Sequence, residues 1–194
     1  MTPASLYVVG RGEALDAPRD RFQAPAIKAI RYADPAAWVT ATAVANAVDP
    51  VREALAAAHD RVGVVVTGAD GPVEAMAAMC EAARGGTSSP IRFPASNAGS
   101  LAGLTSIAFA FRGPTLMLTM PPARGVPVAL LLADAWLKRG VAAYVVVAAC
   151  AQAAGSRPTA RCLVLGGETA SLDPALDALW LAAPADVIPA AEAR

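Results

Sequence analysis

The sequence is poor in the residue types from which most active sites are built. It has one histidine, His59, and three cysteines, Cys80, Cys150 and Cys162, in 194 residues. No CxxC pair occurs, and a single histidine does not complete a zinc set. An odd number of cysteines at wide spacing points to reduced thiols in the cytoplasm rather than a disulfide framework. Aromatic residues make up only 5%. Neither charge sign is in surplus, with 16 basic and 16 acidic residues and a formal net charge of zero. That gives no electrostatic footprint for nucleic acid and little repulsion to keep the chain monomeric. No apolar run approaches the ~20 residues that span a bilayer. The opening MTPASLYVVGRGEALDAPRD lacks the basic stretch and long apolar segment of a signal peptide.

What is present is apolar and small. Hydrophobic residues are 56% of the chain, mostly Ala, Val and Leu, and the length suits one domain with a sizeable core. Leu6 to Gly10 is a short strand candidate, followed by a loop from Arg11 to Arg31 that contains Pro18 and Pro25. Asp34-Pro35 has the form of an N-cap with proline at the first helical position, and Asp49-Pro50 repeats it. The run VGVVV, Val62 to Val66, matches a strand covered on both faces. GPVEAMAAMCEAARGG is a helix stopped by Gly85-Gly86. A helix over about Ala98 to Phe111, capped by Ser96 or Asn97, is broken by Gly113-Pro114. TLMLTM is a third strand, VPVALLLADAWLKRG a helix, AAYVVVAAC a fourth strand, and RCLVLGG a fifth, antiparallel to the fourth. After Ser171 the tail holds one short helix, then Pro184 and Pro189, and is expected to fray. Strands alternating with helices predict a layered α/β domain with a mixed five-stranded sheet.

Few motifs carry chemistry on their own. VVGRGE offers GxG after a strand but lacks the third glycine of a dinucleotide fingerprint and the helix that opens on it, so a glycine turn is expected. LGGETA is a similar pair at a strand end. His59 ends a helix, where its charge suits the dipole. Cys150 sits at the end of an apolar strand, without the helix N-terminus or basic group that makes a thiolate. It is expected to be a buried structural thiol. The enzymatic alternative makes it the nucleophile of an acyltransferase, with His59 as its base.

The segment FPASNAGSLAGLTSIAFAFRGPTLMLT, Phe93 to Thr119, together with what surrounds it, resembles the β-ketoacyl synthase family. The matching features are Asn97, Phe111-Arg112-Gly113-Pro114, Thr119, Arg139-Gly140 and the strand Val145 to Ala149, in the family's order. VGVVVTGADGP, LYVVGRGE and RCLVLGGET resemble its earlier and later strands. The match covers about residues 6 to 170 and implies the N-terminal half of a thiolase-like fold, with residues 171–194 as a tail. The resemblance puts the nucleophile of the family's T-A-C-x-S elbow on Pro122 or Ala123, neither of which can attack a thioester. The two histidines of the family's other half have no counterpart, since none follows His59.

The resemblance therefore implies a noncatalytic, chain-length-factor-type subunit without a cofactor. It would pair with an active ketosynthase in polyketide or fatty-acid-like biosynthesis, including aryl-polyene-type pathways that use shortened partners. An acyl carrier protein is a further implied partner; nucleic acid and membrane are not. The strand Thr115, Leu116, Met117, Leu118, Thr119, Met120 corresponds to the family's dimer-interface strand. Phe109, Phe111, Met117 and Met120 are the candidate lining of an acyl tunnel. Self-association into a structural homodimer remains the other alternative.

Overall fold

Strands without polar alternation must be covered on both faces, and the centre of the molecule is built from two of them. In the computed structural model, residues 6–16, 32–87, 89–152, 156–166, 178 and 180–183 are described. β2 (Val62–Thr67) and β4 (Tyr144–Ala151) run parallel, in register from Val62 opposite Tyr144 to Thr67 opposite Ala149. Every residue of β2 is buried. β5 (Thr159–Gly166) returns antiparallel to β4, as the short GSRPTA turn predicts. β1 (Val8–Ala14) closes one edge against β5, and β3 (Thr115–Leu118) lies parallel to β2 at the other. The result is a mixed five-stranded sheet in the order β1-β5-β4-β2-β3.

The expectation of a glycine turn after a five-residue first strand is overturned. β1 continues through Gly10, Arg11, Gly12 and Glu13 to Ala14, with an irregularity between Val8 and Gly10. The glycines are there because a helix lies on them. A Cβ on Gly10 would run into the Ala47 carbonyl, and one on Gly12 into the Ala43 carbonyl. That helix is α1 (Pro35–Val48), which is buried almost all round. Asp34 caps it as expected, its Oδ1 accepting from Ala36 N at 2.8 Å. Its other oxygen accepts from Ala75 N at 2.9 Å, in the first turn of α3 (Val73–Arg84), a helix with no buried residue of its own.

The Asp49-Pro50 signal opens a 3-10 turn, Asp49–Val51, before the short α2 (Arg52–Ala57). α4 (Ser100–Phe109) is shorter than expected. Asn97 accepts from Gly99 N at 2.8 Å just ahead of it, and Ala110 ends it in the left-handed region, φ 56°. α1 and α4 cover one face of the sheet, meeting Val64, Val66, Val146, Ala148, Cys150, Cys162 and Val164. The opposite face, with Val65, Val145, Val147, Leu163 and Leu165, is covered by α5 (Pro122–Lys138) and by Ala178 and Trp180 to Ala182.

That last segment is the tail's expected short helix, and residues 178 and 180–182 are helical. It is fixed by Arg161, whose side chain points out of β5 yet is only 2% exposed. Its Nη1 donates to the carbonyls of Trp180 at 2.6 Å and Ala183 at 3.0 Å, its Nε to Glu13 at 3.2 Å, and its Cζ lies 5.2 Å from the centroid of the Trp180 ring. Expectations for residues 17–31, 167–177 and 184–194 lie outside the described residues.

Candidate functional site

The carboxyl ends of parallel strands are where an open α/β sheet leaves a crevice. Here the ends of β2 and β4 and the start of α5 enclose a cavity of about 450 Å³. Its wall comes from Gly68 to Gly71 after β2, Pro121 and Pro122, Cys150 to Gln152 at the end of β4, Leu101 of α4, Ala36 of α1, and Ser156, Arg157 and Thr159. The elbow between β3 and α5 is held at its base. Thr67 Oγ1 donates to the Met120 carbonyl at 3.0 Å, and the amides of Arg124 and Gly125 both reach the Pro121 carbonyl at 2.9 Å. Gly125 is needed there, because a Cβ would overlap Thr67 Oγ1.

Pro122 is thus the first residue of the helix and borders the cavity. Proline suits that place, since its missing N–H would be unpaired there and its φ is already helical. Ala123 follows, exposed. The elbow thus presents a pyrrolidine ring to the cavity and no side chain that can act as a nucleophile.

Cys150 borders the same cavity but is 5% exposed. Burial pushes its thiol up to about 11; Thr40, hydrogen-bonded to it, pulls the other way, and the carboxylates of Asp34 and Asp70 add to the rise. The thiolate needed for attack is therefore scarce near neutrality. His59 does not assist it. The imidazole lies before β2, at the opposite end of the parallel strands from Cys150, with Nε2 3.3 Å from Asp60 Oδ1. The structure does not assemble the Cys150–His59 pair. All three cysteines are free. Among the described residues no cluster of His, Cys, Asp and Glu is arranged to hold a metal, and no helix is long and apolar enough to cross a membrane.

No known family profile matches the sequence, and no curated protein matches it. Solved structures do. A chain of the ishigamide ketosynthase/chain length factor superposes with a TM-score of 0.65 at 14% identity, over 84% of this chain and 62% of that one. A chain of the AntDE:AntF complex, an acyl-carrier protein with its hexaketide-bound ketosynthase, gives 0.66 at 14% identity, over 91% and 66%. The fold is a thiolase-like ketosynthase half. A third neighbour comes from the complex of the ketosynthase ApeO with its chain length factor ApeC, from Xenorhabdus doucetiae. It has a TM-score of 0.59 at 13% identity and covers 86% of this chain and 80% of that one, so those two chains are similar in length. Against the ishigamide chain, this chain spans under two thirds of the length.

Within this ketosynthase-like fold the anticipated residues separate. Thr115 to Leu118 form β3, whereas Thr119 and Met120 belong to the elbow. Among the described residues no strand pairs with the outer edge of β3, and Leu116 on it is 37% exposed. Met117 packs with the α1–α4 face, and its methyl lies against Gly68 at the cavity rim. Phe109 and Phe111 stack on each other with centroids 5.4 Å apart and pack with the same core rather than lining the cavity. Asp70, Gln152 and Arg157 were not anticipated. The signal that finds them is positional: they follow the carboxyl ends of β2 and β4.

Proposed function

We propose that this chain is the noncatalytic, chain-length-factor-type partner of an active ketosynthase in polyketide or fatty-acid-like biosynthesis, of the aryl-polyene type. The observation that carries the proposal is Pro122 at the head of α5, on the cavity where a condensing enzyme needs a nucleophile. The similar length of the chain matched in the ApeO–ApeC complex supports a partner of this size. The free edge of β3 is the surface offered to the ketosynthase, strand against strand. The cavity beside Pro122, with Met117 and Met120 near its rim and the Phe109–Phe111 pair behind, is this subunit's share of an acyl tunnel. The ketosynthase supplies the cysteine and histidines, and an acyl carrier protein delivers the chain.

The test is reconstitution with a ketosynthase and acyl carrier protein, followed by mass spectrometry. This chain alone yields no condensation product from acyl and malonyl carrier-protein thioesters, and Pro122→Cys or Ala123→Cys does not change that. With the ketosynthase it forms a complex that Leu116→Lys breaks, because a charge on the strand edge is desolvated without a partner. Condensation by the isolated chain, or a ketosynthase complex indifferent to Leu116→Lys, refutes the proposal. The acyltransferase alternative requires a reactive Cys150, which burial opposes.

A further inference from the structure

α5 has two faces, and only one is used. Gly125, Val126, Ala129 and Ala133 are buried against the sheet. On the other side stand Pro127, Val128 and Leu131, spaced by one and by three or four residues and therefore aligned. Leu131 is 71% exposed, the highest of the large hydrophobic side chains among the described residues. An isolated exposed leucine is ordinary, but three exposed apolar residues aligned over little more than one turn of the 17-residue helix form a patch that a partner can cover. The stripe is bounded by charge. Arg124 precedes it and makes no ion pair among the described residues; Asp134 follows it, paired with Lys138 at 2.6 Å.

We propose that the stripe is covered by a second copy of this chain, the two α5 helices crossing antiparallel about a two-fold axis at the level of Ala129. The register follows from the sequence of the helix. An antiparallel pair that sets Leu131 of each copy on Pro127 of the other also sets Arg124 of each beside Asp134 of the other. The apolar and ionic contacts are satisfied by one register, which is the self-complementarity that an isologous interface requires. The unpaired cation meets the acid at both ends of the contact. With a formal net charge of zero, no long-range repulsion opposes two copies meeting. The contact uses the opposite side of α5 from the sheet and does not involve the β3 edge, so it stands or falls independently of pairing with a ketosynthase.

Sedimentation velocity of the full chain over a concentration series tests it, with circular dichroism as the check on folding. The wild-type chain sediments as a reversible dimer. Leu131→Glu abolishes the dimer and leaves the spectrum unchanged, since Leu131 lies outside the core. Arg124→Glu and Asp134→Arg each weaken dimerisation about fivefold, and combining them restores it, because the ion pair is re-formed with its signs exchanged. Leu116→Lys leaves this dimer intact while breaking a ketosynthase complex, so the two readings fail separately. A wild-type chain monomeric throughout the series, a dimer that survives Leu131→Glu, a double charge exchange no better than its singles, or a dimer lost on Leu116→Lys each overturns the proposal.

Discussion

β1 and β3 are both edge strands, one seven residues long and the other four. β1 is wrapped by its own chain: α1 lies directly on Gly10 and Gly12, Asn46 Nδ2 donates to the Glu13 carbonyl at 2.7 Å, and the Glu13 side chain meets Arg161. Among the described residues no strand pairs with the outer edge of β3; Ser106 reaches it, its hydroxyl 3.1 Å from that of Thr115, while Met117 and Leu118 pack inward. A strand edge left bare invites another strand, and proteins blunt the edges they do not use. The contrast teaches that the wrapped edge carries stability and the open edge adds little to it, so a substitution at β1 should move the fold, and one at β3 tests the proposed assembly with a ketosynthase.

The largest blow to the fold falls on the wrapped edge. Gly12→Val places side-chain atoms where the Ala43 carbonyl and the Ala47 amide already are. With backbone on the far side of the clash, α1 must lift off the sheet, at a cost of about 4 kcal/mol or more. Urea denaturation reads this directly, and an unchanged midpoint would mean that α1 is not packed on β1. Arg161→Met comes next, since it removes the buried guanidinium and strands the carbonyls of Trp180 and Ala183. Losing one partner of a buried charged network costs about 3 kcal/mol. Limited proteolysis after Trp180 should accelerate in step, and equal cleavage rates would count against the clamp.

Alkaline pH probes the core between the edges. The Cys150 thiol rises from 9.0 to about 11 on folding. Between those values the unfolded chain has lost its proton and the native chain keeps it, so stability falls as pH rises. The loss amounts to about 2–3 kcal/mol by pH 11 and is absent below pH 9. Thermal melts across this range should show the slope in the wild type and a shallower one in Cys150→Ala, where Cys162, raised by burial as well, still contributes. The smallest effect on stability is expected at the open edge. Leu116→Lys should lower the unfolding free energy from urea denaturation by no more than about 0.5 kcal/mol, while eliminating the proposed ketosynthase complex in size-exclusion chromatography. Leu118→Asp and Met117→Lys are blunter tools, because those side chains pack into the two core clusters and would damage fold and assembly together.

The sheet's centre was legible because uninterrupted runs such as VGVVV and YVVVAAC allow little besides buried strands, and the capped helix after Asp34 because its chemistry is local. β1 was legible only in part. Gly-Arg-Gly-Glu has no apolar pattern, and its extended shape comes from pairing with β5 and from a helix more than thirty residues away in sequence. That no side chain of the elbow can act as a nucleophile was legible in Met120, Pro121, Pro122 and Ala123 themselves. The cavity could not, since Asp70, Gln152 and Arg157 meet only through strand order. The turn of α4, which decides that Phe109 and Phe111 join the core, is set by packing on α1. Arg161 was invisible for the same reason: nothing local to a charged residue in a strand announces carbonyls 19 and 22 residues downstream waiting to receive it.

That separation also sets a clock. During synthesis, β5 is made before the residues that cover it, and the interval of 22 residues between Arg161 and Ala183 lasts roughly one to four seconds at ordinary elongation rates. Through that window Leu163 and Leu165 line an apolar strand with part of its roof unbuilt. Purified chains truncated just before Trp180 and just after Ala183 would reveal it, as β5 should resist protease only in the longer one. The guanidinium that steadies the finished protein is thus also fastened later than the sheet it belongs to.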